Sequence, residues 1–195
     1  MDTEDKAFRV WVGIIELTNE IWKYVAITKA YEHISSEKCH NPKKGDFFDV
    51  AFQAIWDQLL LDISKMFDRA RTCGNENCSI NLLKELVQKS PDFSNTEKSW
   101  IVRNADYLCE IYNTIITREL RNKQIAHYDL EILVNNTKNK IQSEQLKLFV
   151  VDVAKFLSII STRFLNERGS IYFRSLEETI EEYETTIRKC YLREE

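Results

Sequence analysis

Leu146-Lys-Leu-Phe149-Val-Val-Asp-Val153-Ala-Lys-Phe-Leu157-Ser-Ile-Ile160-Ser-Thr-Arg-Phe164 returns an apolar residue every three or four positions. Leu146, Phe149, Val153, Leu157, Ile160 and Phe164 therefore share one side of a helix with 3.6 residues per turn. Lys147, Asp152 and Lys155 interrupt the run, and a membrane-spanning helix needs ~20 nearly uncharged residues. This is the buried stripe of a helix inside a protein, and Gly169 stops it.

The same period recurs along the chain. Phe8, Trp11, Val12, Ile15, Trp22 and Val25 predict a first helix from Asp5 to His33. A polar loop from Ser35 to Asp46 follows, holding Pro42 and Gly45. Phe48, Phe52, Ile55, Leu59, Ile63 and Met66 mark a second helix, to Arg71, which Cys73-Gly-Asn-Glu-Asn-Cys78 breaks. Ser79 is placed to cap a short third helix with Ile80, Leu83 and Val87, ending before Pro91. Ser94, Asn95 or Thr96 can cap the next, whose stripe of Ile101, Ala105, Leu108, Tyr112, Ile115 and Leu120 runs to Ala126. Asn135-Asn136-Thr137 marks a loop, and a last helix from Ser175 to Arg193 carries Leu176, Ile180, Tyr183, Ile187 and Tyr191 on one face.

Composition agrees. Only 4 Gly and 2 Pro occur in 195 residues, too few for the turns that a sandwich, barrel or doubly wound sheet requires. The expectation is an all-α antiparallel bundle of five to six helices with no sheet, in one domain. With 44% apolar and 30% charged residues the chain is neither disordered nor membrane-spanning. The opening Met1-Asp-Thr-Glu-Asp5 lacks the basic and apolar regions of a secretory signal. Five cysteines, with Cys109 and Cys190 inside helical patterns, suit a reducing cytoplasm better than a disulfide framework. A net charge of −4 argues against a general polyanion binder but leaves room for a local basic cleft.

One stretch concentrates chemistry: Arg118-Glu-Leu-Arg121-Asn122-Lys123-Gln-Ile-Ala-His127-Tyr-Asp129. An imidazole can take a proton from a ribose 2′-hydroxyl or give one to a leaving 5′ oxygen. A guanidinium can hold a phosphate in two contacts and stabilise the charge that develops on it, and Asn122 can orient either group. The set suits RNA cleavage without a metal. At ~100° per residue Lys123 and His127 share a face while Arg121 lies about 240° from His127. An Arg side chain covers part of that offset, but one straight helix still aligns them poorly, so a loosened helix end or a second protomer should help. By spacing alone the stretch also reads as a surface helix end whose cations complement the dipole, and both readings stay open.

An Arg, a polar residue and a His at the end of a helix in an all-helical chain resembles the HEPN superfamily. The wider context is similar to the branch related to the abortive-infection AbiU proteins. It comprises Ile63-Ser-Lys-Met-Phe-Asp68 closing a long helix, the short Ser79-Ile-Asn-Leu-Leu83 helix, and then Arg121-Asn-Lys-Gln-Ile-Ala-His127-Tyr-Asp129. These motifs lie between Phe48 and Phe164. The resemblance implies one HEPN-like helical domain over residues 1–195, with helical extensions at both ends of the family core. It also implies a homodimer whose motif helices face each other across a cleft. Many members are metal-independent endoribonucleases of phage defence or toxin–antitoxin systems, and others are silent modules that bind a nucleotide, nucleic acid or protein.

By match, Arg121, Asn122 and His127 are the catalytic residues. Arg118 and Lys123 would bind nucleic acid, Lys123 and Asp129 belong only to the branch pattern, and Asp129 would give support. The partners implied are an RNA substrate and an antitoxin or other protein, with no membrane, no cofactor and no metal. Cleavage would leave a 2′,3′-cyclic phosphate. A purely structural adaptor would show no dependence on the motif.

The remaining features read as structural. Cys39-His40 with Cys73 and Cys78 could supply four zinc ligands, but the intervening helix would put the two loops at opposite ends of the bundle. His33 is expected as an exposed helix-end residue. Trp11, Trp22, Trp56 and Trp100 are expected in the core or at a dimer contact. Asp68-Arg-Ala-Arg71 could lend charge to the cleft, and the acidic last helix is expected to be solvated, or packed on a partner through Tyr183 and Ile187.

Overall fold

The computed structural model describes residues 2–36, 42–116, 143–165 and 173–191. Among these, six helices form a bundle: α1 (Thr3–Ser36), α2 (Pro42–Met66), α3 (Ile80–Lys89), α4 (Asn95–Ile115), α5 (Ser143–Phe164) and α6 (Leu176–Tyr191). The all-α expectation holds. The expectation of no sheet is corrected by one hairpin among the described residues, in which β1 (Arg71–Thr72) pairs antiparallel with β2 (Asn75–Glu76). None of the described helices is long and apolar enough to cross a membrane.

Helix α1 is central and packs against α2, α3, α5 and α6. Serving several neighbours demands apolar residues on more than one side, and Ala7, Trp11, Ile14, Ile21, Val25, Ala26 and Ala30 are all buried. Its direction relative to its neighbours follows from paired contacts. Tyr31 stacks on Phe52, and Trp11 Nε1 donates to the Leu157 carbonyl oxygen at 3.4 Å while Lys29 bonds Ser143, so α2 and α5 run antiparallel to α1. Trp22 meets Phe173 and His33 meets Glu184, so α6 runs parallel to α1. Tyr183 and Ile187 are half-buried against this chain's own core, so α6 has a partner within the chain. Trp11 and Trp22 are core residues, and Trp56 and Trp100 sit half-buried at its margin.

Local chemistry sets the helix ends. Ser79 caps α3, its Oγ accepting from the Leu82 amide at 3.3 Å. Of the three candidates for α4, Ser94 is the cap. Its Oγ accepts from the Glu97 amide at 3.3 Å while Glu97 Oε2 accepts from the Ser94 amide at 2.7 Å, a reciprocal capping box. Helix α2 begins at Pro42, inside the expected loop, because proline suits a first helical turn whose amide has no partner. It stops at Met66, short of Arg71, where Asn81 Nδ2 reaches the Phe67 and Asp68 carbonyl oxygens at 3.2 and 3.0 Å and ties the chain to α3.

The hairpin replaces the expected simple break. Cys73 (φ 50°) and Gly74 (φ 84°) both adopt the left-handed region, as a two-residue I′ turn requires. Asn77 Nδ2 holds it closed through the Arg69 carbonyl oxygen and Thr72 Oγ1. Arg71 is engaged by Glu85 and Glu76. Cys78 Sγ lies 3.4 Å from the Val10 carbonyl oxygen, and a Cβ added to Gly13 would meet that sulfur at 2.6 Å. Gly13 is thus the residue that lets α1 approach the hairpin strand's end.

The helical gain of Gly13→Ala, about 1 kcal/mol, should appear only where the sulfur is gone. In the wild-type background the substitution is expected to be neutral or destabilising. In the Cys78→Ala background it should stabilise by about 1 kcal/mol. Urea denaturation of the four proteins measures the coupling, and equal gains in both backgrounds would refute the contact.

Candidate functional site

Arg118, Arg121, Asn122, Lys123, His127 and Asp129 lie outside the described residues, as do Cys39 and His40. The described structure defines the two points between which the motif stretch is strung. On the entry side, α4 closes with the Ile116 amide donating to the Tyr112 carbonyl oxygen at 2.7 Å, and Ile116 is buried. The Tyr112 ring stacks on Phe67 (centroids 4.8 Å, 10° between planes), and Phe67 packs on Phe149 of α5 at 5.3 Å. The Tyr112 hydroxyl is buried and has no hydrogen-bond partner among the described residues.

On the exit side, Ser143 opens α5 and is held by α1. Lys29 Nζ donates to Ser143 Oγ at 2.9 Å, Ser143 Oγ donates to Glu32 Oε2 at 2.9 Å, and Lys29 also pairs with Glu144 at 3.0 Å and Glu32 at 3.1 Å. The Lys29 side chain is only 12% exposed. Burial works against its charge, but the hydrogen bonds to Glu144 and Glu32 outweigh that penalty and its pKa is raised. The same hydrogen bond to Lys29 is the main reason that Glu144 titrates below its ordinary value. Trp100 of α4 stacks on Phe156 of α5, and the Tyr112–Phe67–Phe149 stack lies further toward the start of α5. The two anchors therefore sit at one end of the bundle, the end at which α1 finishes.

Three of the cations described at this end are held by carboxylates. Lys147 pairs with Glu144 and Glu177, and Arg188 donates to Glu184 at 2.7 Å. The Arg188 hydrogen bond is the main cause of the lowered Glu184 pKa, and His33, exposed as expected, adds to it at 3.3 Å. Each of Lys29, Lys147 and Arg188 thus has a carboxylate. Among the described residues no three histidines, cysteines or carboxylates converge as a metal would require. Cys78, packed by Val10 and Gly13, lies near the first turns of α1, whereas Cys39 and His40 follow its last residue in sequence.

Sequence reading missed the Lys29 clamp, although a signal existed. Lys29 falls in helical register with Trp22 and Val25, and a lysine on an apolar stripe needs a carboxylate partner to be kept there.

An all-helical chain carrying this motif stretch between two anchored helices has the organisation of a HEPN-domain protein. A family model described as AbiU2 matches residues 13–184, and the chain belongs to that abortive-infection-related HEPN family. The match reaches well past the quoted motifs, from within α1 to within α6, and encloses the whole stretch from Arg118 to Asp129. No curated protein and no solved structure matches the chain.

Lys29→Ala should lower stability by about 1 kcal/mol, since three partly solvated groups lose one half-buried cation, which moves the melting midpoint of a chain this size by about 2–4 °C. Lys29 has a raised pKa, so its contribution is complete below the ordinary lysine value of 10.5 and fades as pH climbs through the folded value. Glu144 has a lowered pKa, so its contribution is complete above 4.5 and fades as pH falls through the folded value. The wild-type excess in melting temperature should accordingly be flat near neutrality and shrink at both extremes. An excess independent of pH would count against the clamp.

Proposed function

We propose that this protein is a metal-independent endoribonuclease acting in the cytoplasm in phage defence or as a toxin. The observation that carries the reading is the family match over residues 13–184, within which the chain retains Arg121, Asn122 and His127 together. His127 serves as general base or general acid at the 2′-hydroxyl or the 5′ leaving oxygen. Arg121 contacts the scissile phosphate and the charge that grows on it, and Asn122 orients the pair. Arg118 and Lys123 guide the RNA, and Asp129 supports the motif. Lys29, Lys147 and Arg188 are engaged by carboxylates, which supports assigning the phosphate contacts to the motif stretch. The chain acts as one domain and as a homodimer, with two copies of the motif completing what one helix aligns poorly.

Purified protein should cleave single-stranded RNA in EDTA and leave 2′,3′-cyclic phosphate ends. His127→Ala should lower the rate by roughly 10²–10⁴-fold, and Arg121→Ala by a comparable factor. Arg121→Lys should recover part of the activity, since an ammonium lacks the two-pronged geometry of a guanidinium. Melting temperatures of all three should stay near wild type. Undiminished cleavage by His127→Ala, or no cleavage by the wild type, would assign the chain to the silent HEPN modules that bind a nucleotide, nucleic acid or protein.

A further inference from the structure

Between α1, α5 and the start of α6 lies a hollow of about 580 Å³, within the size range of small-molecule sites. Its wall is largely apolar, built from Trp22 of α1, Ala154 and Ile159 of α5, Phe173, and Leu176 of α6. Trp22 is 9% exposed, and its Nε1 is buried without a hydrogen-bond partner among the described residues. Trp11, deeper in the core, gives its own Nε1 to the Leu157 carbonyl oxygen. A buried indole N–H ordinarily finds an acceptor, since it has given up the water it would otherwise bond. The wall of the hollow therefore includes a donor that the described chain does not satisfy.

The mouth of the hollow is cationic. Lys155 and Arg174, with side chains 68% and 58% exposed, line it together with Glu177. Glu177 is already engaged by Lys147 at 3.4 Å and by the Ser175 hydroxyl at 3.2 Å. Lys155 pairs with Asp152 at 3.1 Å, and Arg174 pairs with Glu178 at 3.7 Å and with Glu182. Ion pairs this exposed contribute little and exchange readily, unlike those of Lys29 and Lys147, whose side chains are 12% and 20% exposed. Both mouth cations can therefore turn toward an arriving anion. A second hollow, of about 340 Å³ beside Trp100 and Ile159, offers no such group, because its Arg163 is held by Glu4, Glu97 and the Asp92 carbonyl oxygen.

We propose that the hollow between α1, α5 and α6 binds a small aromatic carboxylate. Its ring packs on Ala154, Ile159 and Leu176, beside the Trp22 and Phe173 rings, whose centroids lie 5.5 Å apart with 36° between planes. Inclined rings of this kind receive a third ring edge to face, and a rigid ring loses less freedom on binding than an alkyl chain. One carboxylate oxygen accepts from Trp22 Nε1 once the half-buried Phe173 ring turns aside, and the other faces Lys155 and Arg174. Asp152, Glu178 and Glu182 stand beside those two cations, so the mouth suits a single negative charge and not a polyanion. The inference stands apart from the ribonuclease reading, since no motif residue enters it.

Titration of the full chain with naphthylacetate, followed through the indole N–H resonances of its four tryptophans, tests it. The Trp22 resonance, identified as the one missing from Trp22→Phe, should move as the acid binds, while those of Trp11, Trp56 and Trp100 stay in place. An acid of about fourteen non-hydrogen atoms should bind with a Kd of about 1 mM or tighter. Naphthylacetamide, equal in size but neutral, should bind at least about fivefold more weakly, and decanoate, a carboxylate on a flexible chain, more weakly than the aromatic acid. Lys155→Glu and Arg174→Glu, at exposed positions that open no cavity, should each weaken the acid by about tenfold and leave the amide unchanged. If Trp22→Phe does not fold, the resonance whose movement both charge variants suppress serves in its place. A Trp22 resonance that stays still, movement of Trp100 instead, equal affinity for acid and amide, or tighter binding of decanoate would each overturn the proposal.

Discussion

Burial of α1 on several sides at once is the constraint from which the remaining packing follows. A surface helix needs one apolar stripe, whereas α1 has to satisfy α2, α3, α5 and α6 together. Large residues such as Trp11, Ile14 and Ile21 supply apolar area, and Ala7, Ala26 and Ala30 let backbones come close. Some of the polar groups drawn into this arrangement are met and others are not: Trp22 Nε1 and Thr28 Oγ1 are buried without a hydrogen-bond partner among the described residues. Thr18 Oγ1 returns to the Ile14 carbonyl oxygen at 2.7 Å, and Trp11 Nε1 finds the Leu157 carbonyl oxygen. Removing a buried side chain of this kind typically costs about 2–5 kcal/mol, a large share of a folded protein's net stability.

The ends of the bundle are secured differently. At one, Arg163 lies over the Phe93 ring at 4.9 Å, donates to the Asp92 carbonyl oxygen at 2.9 Å and pairs with Glu4 and Glu97, so α1, the α3–α4 turn and α5 meet on one guanidinium. A planar cation can do this because it stacks and donates at the same time. At the other, a single ammonium on Lys29 gathers Glu32, Ser143 and Glu144 beside the exit of the motif stretch.

Helices were legible because the three-to-four-residue period survives any neighbour. Ser79 and Ser94 were legible as caps because a hydroxyl before an apolar stripe has a local job. Less visible were features decided by distant residues. The end of α2 depends on Asn81, and the hairpin turn is legible in Gly74 but not in Cys73, which takes an uncommon backbone conformation for its type. Tyr183 and Ile187 reveal an apolar face, but not that α1 covers it. The motif was legible as a spacing of Arg, Asn and His. Its setting, between a buried aromatic stack and a lysine clamp, rests on contacts between α1, α2, α4 and α5 that no local pattern encodes.

The parallel pairing of α1 with α6 also fixes an order of events during synthesis. Trp11 lies 146 positions before Leu157, and His33 lies 151 before Glu184, so α1 can meet α2 and α3 well before it meets α5 and α6. Translation at about 5–20 residues per second leaves that gap open for roughly seven to thirty seconds. Helices α3 and α4 can pair meanwhile through Lys84 and Asp106, while the side of α1 that α5 and α6 cover stays unfilled. That side of α1 closes only when α6 has been made, so the residues a growing chain must shield longest are those of α1 that face α5 and α6.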